Sequence, residues 1–170
     1  EKVVLSSKYS IFSPAWSPDG KRLAYVMLED SGSKVYVQDI ATGKKQLVSA
    51  HKGINSAPSF SPDGNKLALV LSKDGNPEIY TVDLKTRHWT RVTNHYAIDT
   101  EPNWMPDGKH IIFTSGRTGN PQIYRVNITS GYIERLTFEG SYNARARLAQ
   151  DGRFLVLVHQ ERKGAPFHIA

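Results

Sequence analysis

The sequence predicts an all-β fold built from propeller blades. Three observations carry this: a 44-residue period, a turn signature at one fixed place in each period, and no segment with sustained helical periodicity. The Asp-Gly pairs Asp19-Gly20, Asp63-Gly64, Asp107-Gly108 and Asp151-Gly152 stand 44 residues apart, with no insertion between them. Upstream of the first three lie Pro14-Ala15-Trp16-Ser17-Pro18, Pro58-Ser59-Phe60-Ser61-Pro62 and Pro102-Asn103-Trp104-Met105-Pro106, on the same period. Downstream, Tyr36, Tyr80 and Tyr124 keep it, as do Asp39, Asp83 and Asn127. A period of this length with four strand-like segments has the dimensions of a propeller blade.

Each unit reads as four short strands in order. The first carries the aromatic residue (Trp16, Phe60, Trp104) and runs into Ser-Pro-Asp-Gly. There Pro presets φ for a type I turn and Gly accepts the left-handed position that follows, so a tight hairpin is expected. The second strand is a continuous apolar run, as in Leu67-Ala68-Leu69-Val70-Leu71, which predicts burial on both faces between neighbouring blades. A Gly/Asn/Pro turn leads to an alternating third strand, Ile79-Tyr80-Thr81-Val82-Asp83 or Ile123-Tyr124-Arg125-Val126-Asn127. The fourth strand ends in Arg91-Val92-Thr93 or Arg135-Leu136-Thr137.

In this phase residues 1–170 form one partial propeller. Residues 1–8 are expected as the outer strand of a preceding blade, followed by blades over 9–52, 53–96 and 97–140 and an incomplete blade over 141–170 that stops in its third strand. Either the first strand completes the last blade, closing a four-bladed ring or a two-chain eight-bladed one, or the chain is a slice of a longer propeller. The slice is favoured, because closed propellers usually have more than four blades. Unpaired blade edges would then promote self-association.

The formal net charge of +6 is not gathered into any cluster of five or more Lys/Arg, so a solvated basic surface explains it without nucleic acid. With no cysteine, disulfide and thiolate chemistry are excluded. No apolar run is long enough to span a bilayer. The six histidines show no zinc spacing, and no calcium loop, phosphate loop or Gly-x-Ser-x-Gly elbow occurs. The repeated aspartates read as turn formers spread around a rim, unable to converge as an acid/base pair. The tyrosine series reads as inter-blade packing and Trp16 and Trp104 as core. No catalytic residue, cofactor or metal site is expected.

A partner is expected at the segments leading into each first strand, which reach the mouth of the central channel. Framework positions repeat because each blade solves the same packing problem. The lead-in positions instead diverge: Ser10, Ile54, Ile98, Tyr142; then Ile11, Asn55, Asp99, Asn143; then Phe12, Ser56, Thr100, Ala144; then Ser13, Ala57, Glu101, Arg145. The candidate contacts are Ile54, Asn55, Ala57, Ile98, Asp99, Thr100, Glu101, Tyr142, Asn143 and Arg145. Asn55 and Asn143 could equally hydrogen-bond a partner's backbone or satisfy their own turns.

The stretches Phe12-Ser13-Pro14-Ala15-Trp16-Ser17-Pro18-Asp19-Gly20, Ala57-Pro58-Ser59-Phe60-Ser61-Pro62-Asp63-Gly64, Thr100-Glu101-Pro102-Asn103-Trp104 and Pro121-Gln122-Ile123-Tyr124 carry a family resemblance. Over the whole chain and in blade order, the sequence resembles the TolB family, periplasmic propeller proteins of the Tol–Pal cell-envelope system with WD40-like (PD40) repeats. The resemblance implies part of a six-bladed propeller with a non-catalytic role in outer-membrane integrity and cell division. It implies binding of the peptidoglycan-associated lipoprotein Pal, with colicin translocation peptides using the same surface. Ala57 and Thr100 match family positions implicated in Pal binding, whereas Ile54 stands where a histidine is common. The alternative from the generic repeat is the substrate-gating propeller of a prolyl-oligopeptidase-like or tricorn-like peptidase.

Overall fold

The apolar runs and turn signatures become fifteen strands in four antiparallel sheets, in a computed structural model that describes residues 3–149 and 152–170. Blade 1 is β1 (Ser10–Trp16), β2 (Arg22–Glu29), β3 (Gly32–Asp39) and β4 (Lys45–Ser49). Blade 2 is β5 (Asn55–Phe60), β6 (Lys66–Leu71), β7 (Glu78–Asp83) and β8 (Trp89–Arg91). Blade 3 is β9 (Asp99–Trp104), β10 (His110–Ser115), β11 (Gln122–Asn127) and β12 (Ile133–Arg135). Blade 4 has three strands, β13 (Tyr142–Leu148), β14 (Leu155–Gln160) and β15 (His168–Ile169). Within each blade, strands pair in sequence order.

The turn residues act as their chemistry dictates. In the first hairpin Gly20 N donates to Ser17 O (2.9 Å) while Ser17 Oγ donates to Asp19 Oδ1 (2.5 Å), and Gly20 takes φ 67°. The second and third hairpins repeat this through Gly64 N to Ser61 O (2.8 Å) and Gly108 N to Met105 O (3.0 Å). Asp151, expected in the fourth, lies outside the described residues. These bonds hold the Asp19 and Asp63 carboxyls below the usual carboxylate range, the serine hydroxyl being the largest cause.

The double burial of the second strand is observed in β2, β6 and β10. Leu67, Leu69 and Leu71 pack with Ala24, Val26, Val35, Val37 and Val48 of blade 1, while Ala68 and Val70 on the opposite face join Trp104, Ile111, Phe113 and Tyr124 of blade 3. Each of these leucine, isoleucine and valine side chains contributes about 1.5–3 kcal/mol on leaving water. Tyr80 and Tyr124 lie in the inter-blade clusters as expected, with their hydroxyls bonded to Asp74 (2.5 Å) and Thr118 (3.1 Å). Burial first, then the Asp74 bond, pushes the Tyr80 phenol up to about 12.

Two expectations change at the ends of the array. Residues 3–9 form no strand; Val4 O accepts from Gln38 Nε2 (3.3 Å) and Leu5 packs on the Tyr25–Tyr36 cluster, and no strand pairs with them among the described residues. Trp16 is not core. It is 54% exposed where its repeat equivalents Phe60 and Trp104 are 7% and 6%, because those rings pack on the preceding blade and no blade precedes β1 among the described residues. Val156 is likewise 46% exposed where its equivalent Ile112 is 1%.

Candidate partner site at the channel mouth

The first strands β1, β5, β9 and β13 stand side by side around the axis, and each carries the same irregularity. Pairing with the second strand slips between Phe12 and Ala15, Ser56 and Ser59, Thr100 and Asn103, and Ala144 and Arg147. Two residues there oppose one on the neighbour, which makes a β-bulge. The leading residue of every bulge is left-handed: Ser13 (φ 51°), Ala57 (48°), Glu101 (56°) and Arg145 (58°). None is glycine, so each holds a conformation that costs an ordinary L-residue on the order of 1–3 kcal/mol. A following proline is not the cause: Pro14, Pro58 and Pro102 follow the first three, yet Ala146 follows Arg145 and the geometry is unchanged. The register slip imposes it.

The bulges turn these four side chains toward the axis. Ser13, Ala57, Glu101 and Arg145, with Pro14, Pro58 and Arg147, line one cavity of about 310 Å³. A second recess of about 260 Å³, lined by Trp16, Ser59, Asn103 and again Arg147, lies beside it. Across the first cavity Arg145 Nε donates to Glu101 Oε1 (3.0 Å), and Arg145 N donates to Glu101 Oε2 (2.9 Å). Thr114 Oγ1 donates to the same Oε2 (3.0 Å), so both carboxylate oxygens are occupied and blades 3 and 4 are tied at the mouth.

The ten candidate contacts separate into three groups. Ala57, Glu101 and Arg145 are brought together in the cavity. Ile54 (45% exposed), Ile98 (56%) and Tyr142 lie on the rim, with Tyr142 edge-on to Phe167 at 5.3 Å; Thr100 is half-buried in β9, opposite Thr114. Asn55, Asp99 and Asn143 are corrected: their side chains are buried and offer nothing to a partner. Asn55 Oδ1 accepts from Ser49 Oγ (2.5 Å) and His51 N (3.0 Å), and its Nδ2 donates to His51 O (2.7 Å), so it braces its own loop. Asn143 Nδ2 donates to Gln122 Oε1 (2.9 Å) and Glu139 O (2.7 Å). Asp99 Oδ2 accepts from Arg117 Nη2 (2.8 Å), the Ser115 and Thr93 hydroxyls also support the carboxylate, and burial, the largest effect, pushes its carboxyl up. The bulge explains the split, since the residue two before each left-handed position points into the blade.

Ser13, one of the diverging lead-in positions but not among the ten candidate contacts, joins them in the cavity, and Pro14, Pro58 and Arg147 are mouth residues not expected from the sequence. A signal was present: Ala15, Ser59, Asn103 and Arg147 share one repeat position and differ as freely as the lead-in residues do. His51 packs edge-on against Trp89 at 5.2 Å, and no group of three or more His, Cys, Asp or Glu side chains suited to a metal ion occurs among the described residues.

The strain makes a direct prediction. Ala57→Gly is expected to leave stability within about 1 kcal/mol, while Ala57→Val, β-branched at positive φ, loses about 2–3 kcal/mol. Urea denaturation of the two variants checks this.

The sheet order and axial cavity define a bladed β-propeller with its most divergent residues at the channel mouth. A family profile described as "TolB beta propeller domain" (PD40) matches residues 1–170. The chain belongs to the TolB β-propeller domain family. The Tol-Pal system protein TolB of Xylella fastidiosa (strain M12) is 54% identical over 56 residues, which is 33% of this chain and 13% of that protein. The protein of the same name from Xanthomonas oryzae pv. oryzae (strain PXO99A) is 52% identical over 56 residues. Among solved structures, TolB from Acinetobacter baumannii superposes with TM-score 0.92 at 50% identity, over 98% of this chain and 42% of that one. The chain thus matches less than half the length of these relatives. A puromycin hydrolase superposes at TM-score 0.80 with 13% identity over 98% of this chain, a likeness of fold alone. No helix of the described residues is long and apolar enough to cross a membrane.

Proposed function

We propose that this chain is the non-catalytic, protein-binding part of a Tol–Pal system component, acting in the periplasm with the peptidoglycan-associated lipoprotein Pal as its partner. Colicin translocation peptides would compete for the same mouth. One observation carries the reading: four bulges of identical geometry hold four different side chains, Ser13, Ala57, Glu101 and Arg145, around a single axial cavity. A catalytic role would need groups matched in pKa and aligned on a reacting atom. A recognition role needs a rigid rim of varied chemistry, and backbone strain of this kind collects at ligand clamps. Membership of the TolB propeller family supports the system, and the 50% identity to TolB of A. baumannii supports a shared mode of action.

The test is calorimetric titration of the soluble domain of Pal into this chain. Saturable one-to-one binding is expected, weakened at least about ten-fold, or about 1.4 kcal/mol, by Glu101→Arg. Absence of any heat with a folded chain would overturn the assignment of Pal.

A further inference from the structure

We infer that the channel mouth receives a carboxylate of its partner, with Arg145 and Arg147 as the receiving pair; this rests on the reading of the mouth as the partner site. The two arginines flank Ala146, which is buried, so both side chains leave β13 on the exposed side, and both line the axial cavity. The anion lining that cavity, Glu101, is already consumed. Its Oε1 accepts from Arg145 Nε, and its Oε2 from Arg145 N and Thr114 Oγ1. The terminal nitrogens of Arg145, on a side chain 73% exposed, keep no acceptor among the described residues. Among the described residues Arg147 donates to Ala146 O alone, at 3.0 Å through Nη1, so its second fork nitrogen has no acceptor there either.

Two guanidinium groups therefore face one cavity whose single carboxylate is spent on positioning one of them. The unmet demand is for planar, bidentate acceptors, which a carboxylate supplies. The cavity holds about 310 Å³, room for one or two side chains, and its remaining walls are Ser13, Ala57 and the prolines. A nucleic-acid backbone would need a longer cationic track with stacking rings beside it. Arg147 also borders the adjoining recess, whose Ser59 and Asn103 offer polar partners to backbone on either side of the acidic group. The occupant is accordingly a peptide segment carrying a carboxylate, on an Asp or Glu side chain or at a chain end.

Arginine side-chain Nε–H resonances of the intact chain report the site directly. The probes are capped Gly/Ser peptides with a central Asp, Glu or Asn, a neutral peptide with a free C-terminus, and a short DNA oligonucleotide. Asp or Glu peptides are expected to shift Arg145 and Arg147 signals and to bind at least about five-fold more tightly than the Asn peptide, with the advantage fading as salt rises. Arg145→Gln and Arg147→Gln should each remove it, while Arg→Lys keeps part through charge without the fork. Glu101 stays anchored by the Arg145 backbone N–H in all of these. Selective binding of the free C-terminus supports the same arginines and assigns the carboxylate to a chain end. Equal binding of Asp and Asn peptides, shifts confined to other arginines, or stronger binding of DNA overturns the inference. If Pal binds wild type and both Gln variants alike, the carboxylate site falls and the scaffold stands. Acidic peptides binding where Pal does not reverses that outcome.

Discussion

Replacing Arg117 by alanine is expected to lower the free energy of unfolding by about 3–5 kcal/mol at neutral pH. Arg117 Nη2 donates to Asp99 Oδ2 at 2.8 Å, and Asp99 is fully buried at the start of β9. The guanidinium also lies over Phe113 (5.3 Å) and Tyr124 (4.8 Å), so truncation removes packing as well as charge. Losing the cation leaves a carboxylate in the junction of blades 2 and 3, where Asp99 N bonds Pro77 O (3.0 Å) and buried Glu78 takes the place Gln122 fills one blade later. Burial already holds the Asp99 carboxyl above its ordinary value. A raised carboxyl binds its proton better in the folded state, so its contribution to stability is greatest below about pH 3.8 and is lost as pH climbs through the folded pKa. The penalty of Arg117→Ala should therefore shrink toward acid pH. The turn carboxyls Asp19, Asp63 and Asp83 act in the opposite sense: their folded values are lowered, and their stabilisation is lost as pH falls through those values. In an Asp99→Asn background, whose amide can copy the Asn143 bond to Gln122, the Arg117→Ala cost should fall to about 1–2 kcal/mol. Urea unfolding of the four proteins of this cycle at acid and neutral pH measures the coupling. Additive effects at neutral pH would remove the charge pair from the account.

Phe113→Ala is expected to cost about 3–5 kcal/mol, with Phe113→Leu costing less. The ring is 1% exposed in β10 and packs among Ala68, Val70, Ile79, Trp104 and Tyr124, joining blade 2 to blade 3. It also stands opposite the Glu101–Pro102 bulge, so the hole opens directly behind the channel wall. Tyr132→Ala, on a ring 68% exposed just before β12, serves as the control and should stay within about 0.5 kcal/mol. Denaturant midpoints with unchanged slopes would assign the difference to stability alone.

Why the blades were legible and the mouth only half so has a physical basis. Asp19-Gly20 and its equivalents, the leucine run of β6 and the tyrosine series state local rules, turn chemistry and double burial, that nothing in the tertiary structure overrides. The left-handed residues state no such rule. Ser, Ala, Glu and Arg have no preference for positive φ, and a residue before proline is ordinarily pushed toward extended backbone. Ser13, Ala57 and Glu101 defy that because pairing to the second strand leaves one residue too many. Misplacing that residue sends Asn55, Asp99 and Asn143 to the surface on paper and hides Arg147. Trp16 departs for a different reason: its period is that of a core residue, but burial of that ring belongs to the neighbouring blade rather than to the strand that bears it.

The bulge has a consequence for how such a surface changes over generations. Its bend is written in which backbone groups pair, so the side chain it presents is free to be exchanged without redrawing the wall. Serine, alanine, glutamate and arginine already occupy four copies of one socket within a single chain. Such a wall can change its charge and shape one socket at a time, among residues that tolerate the left-handed backbone, while the strand register beneath stays the same.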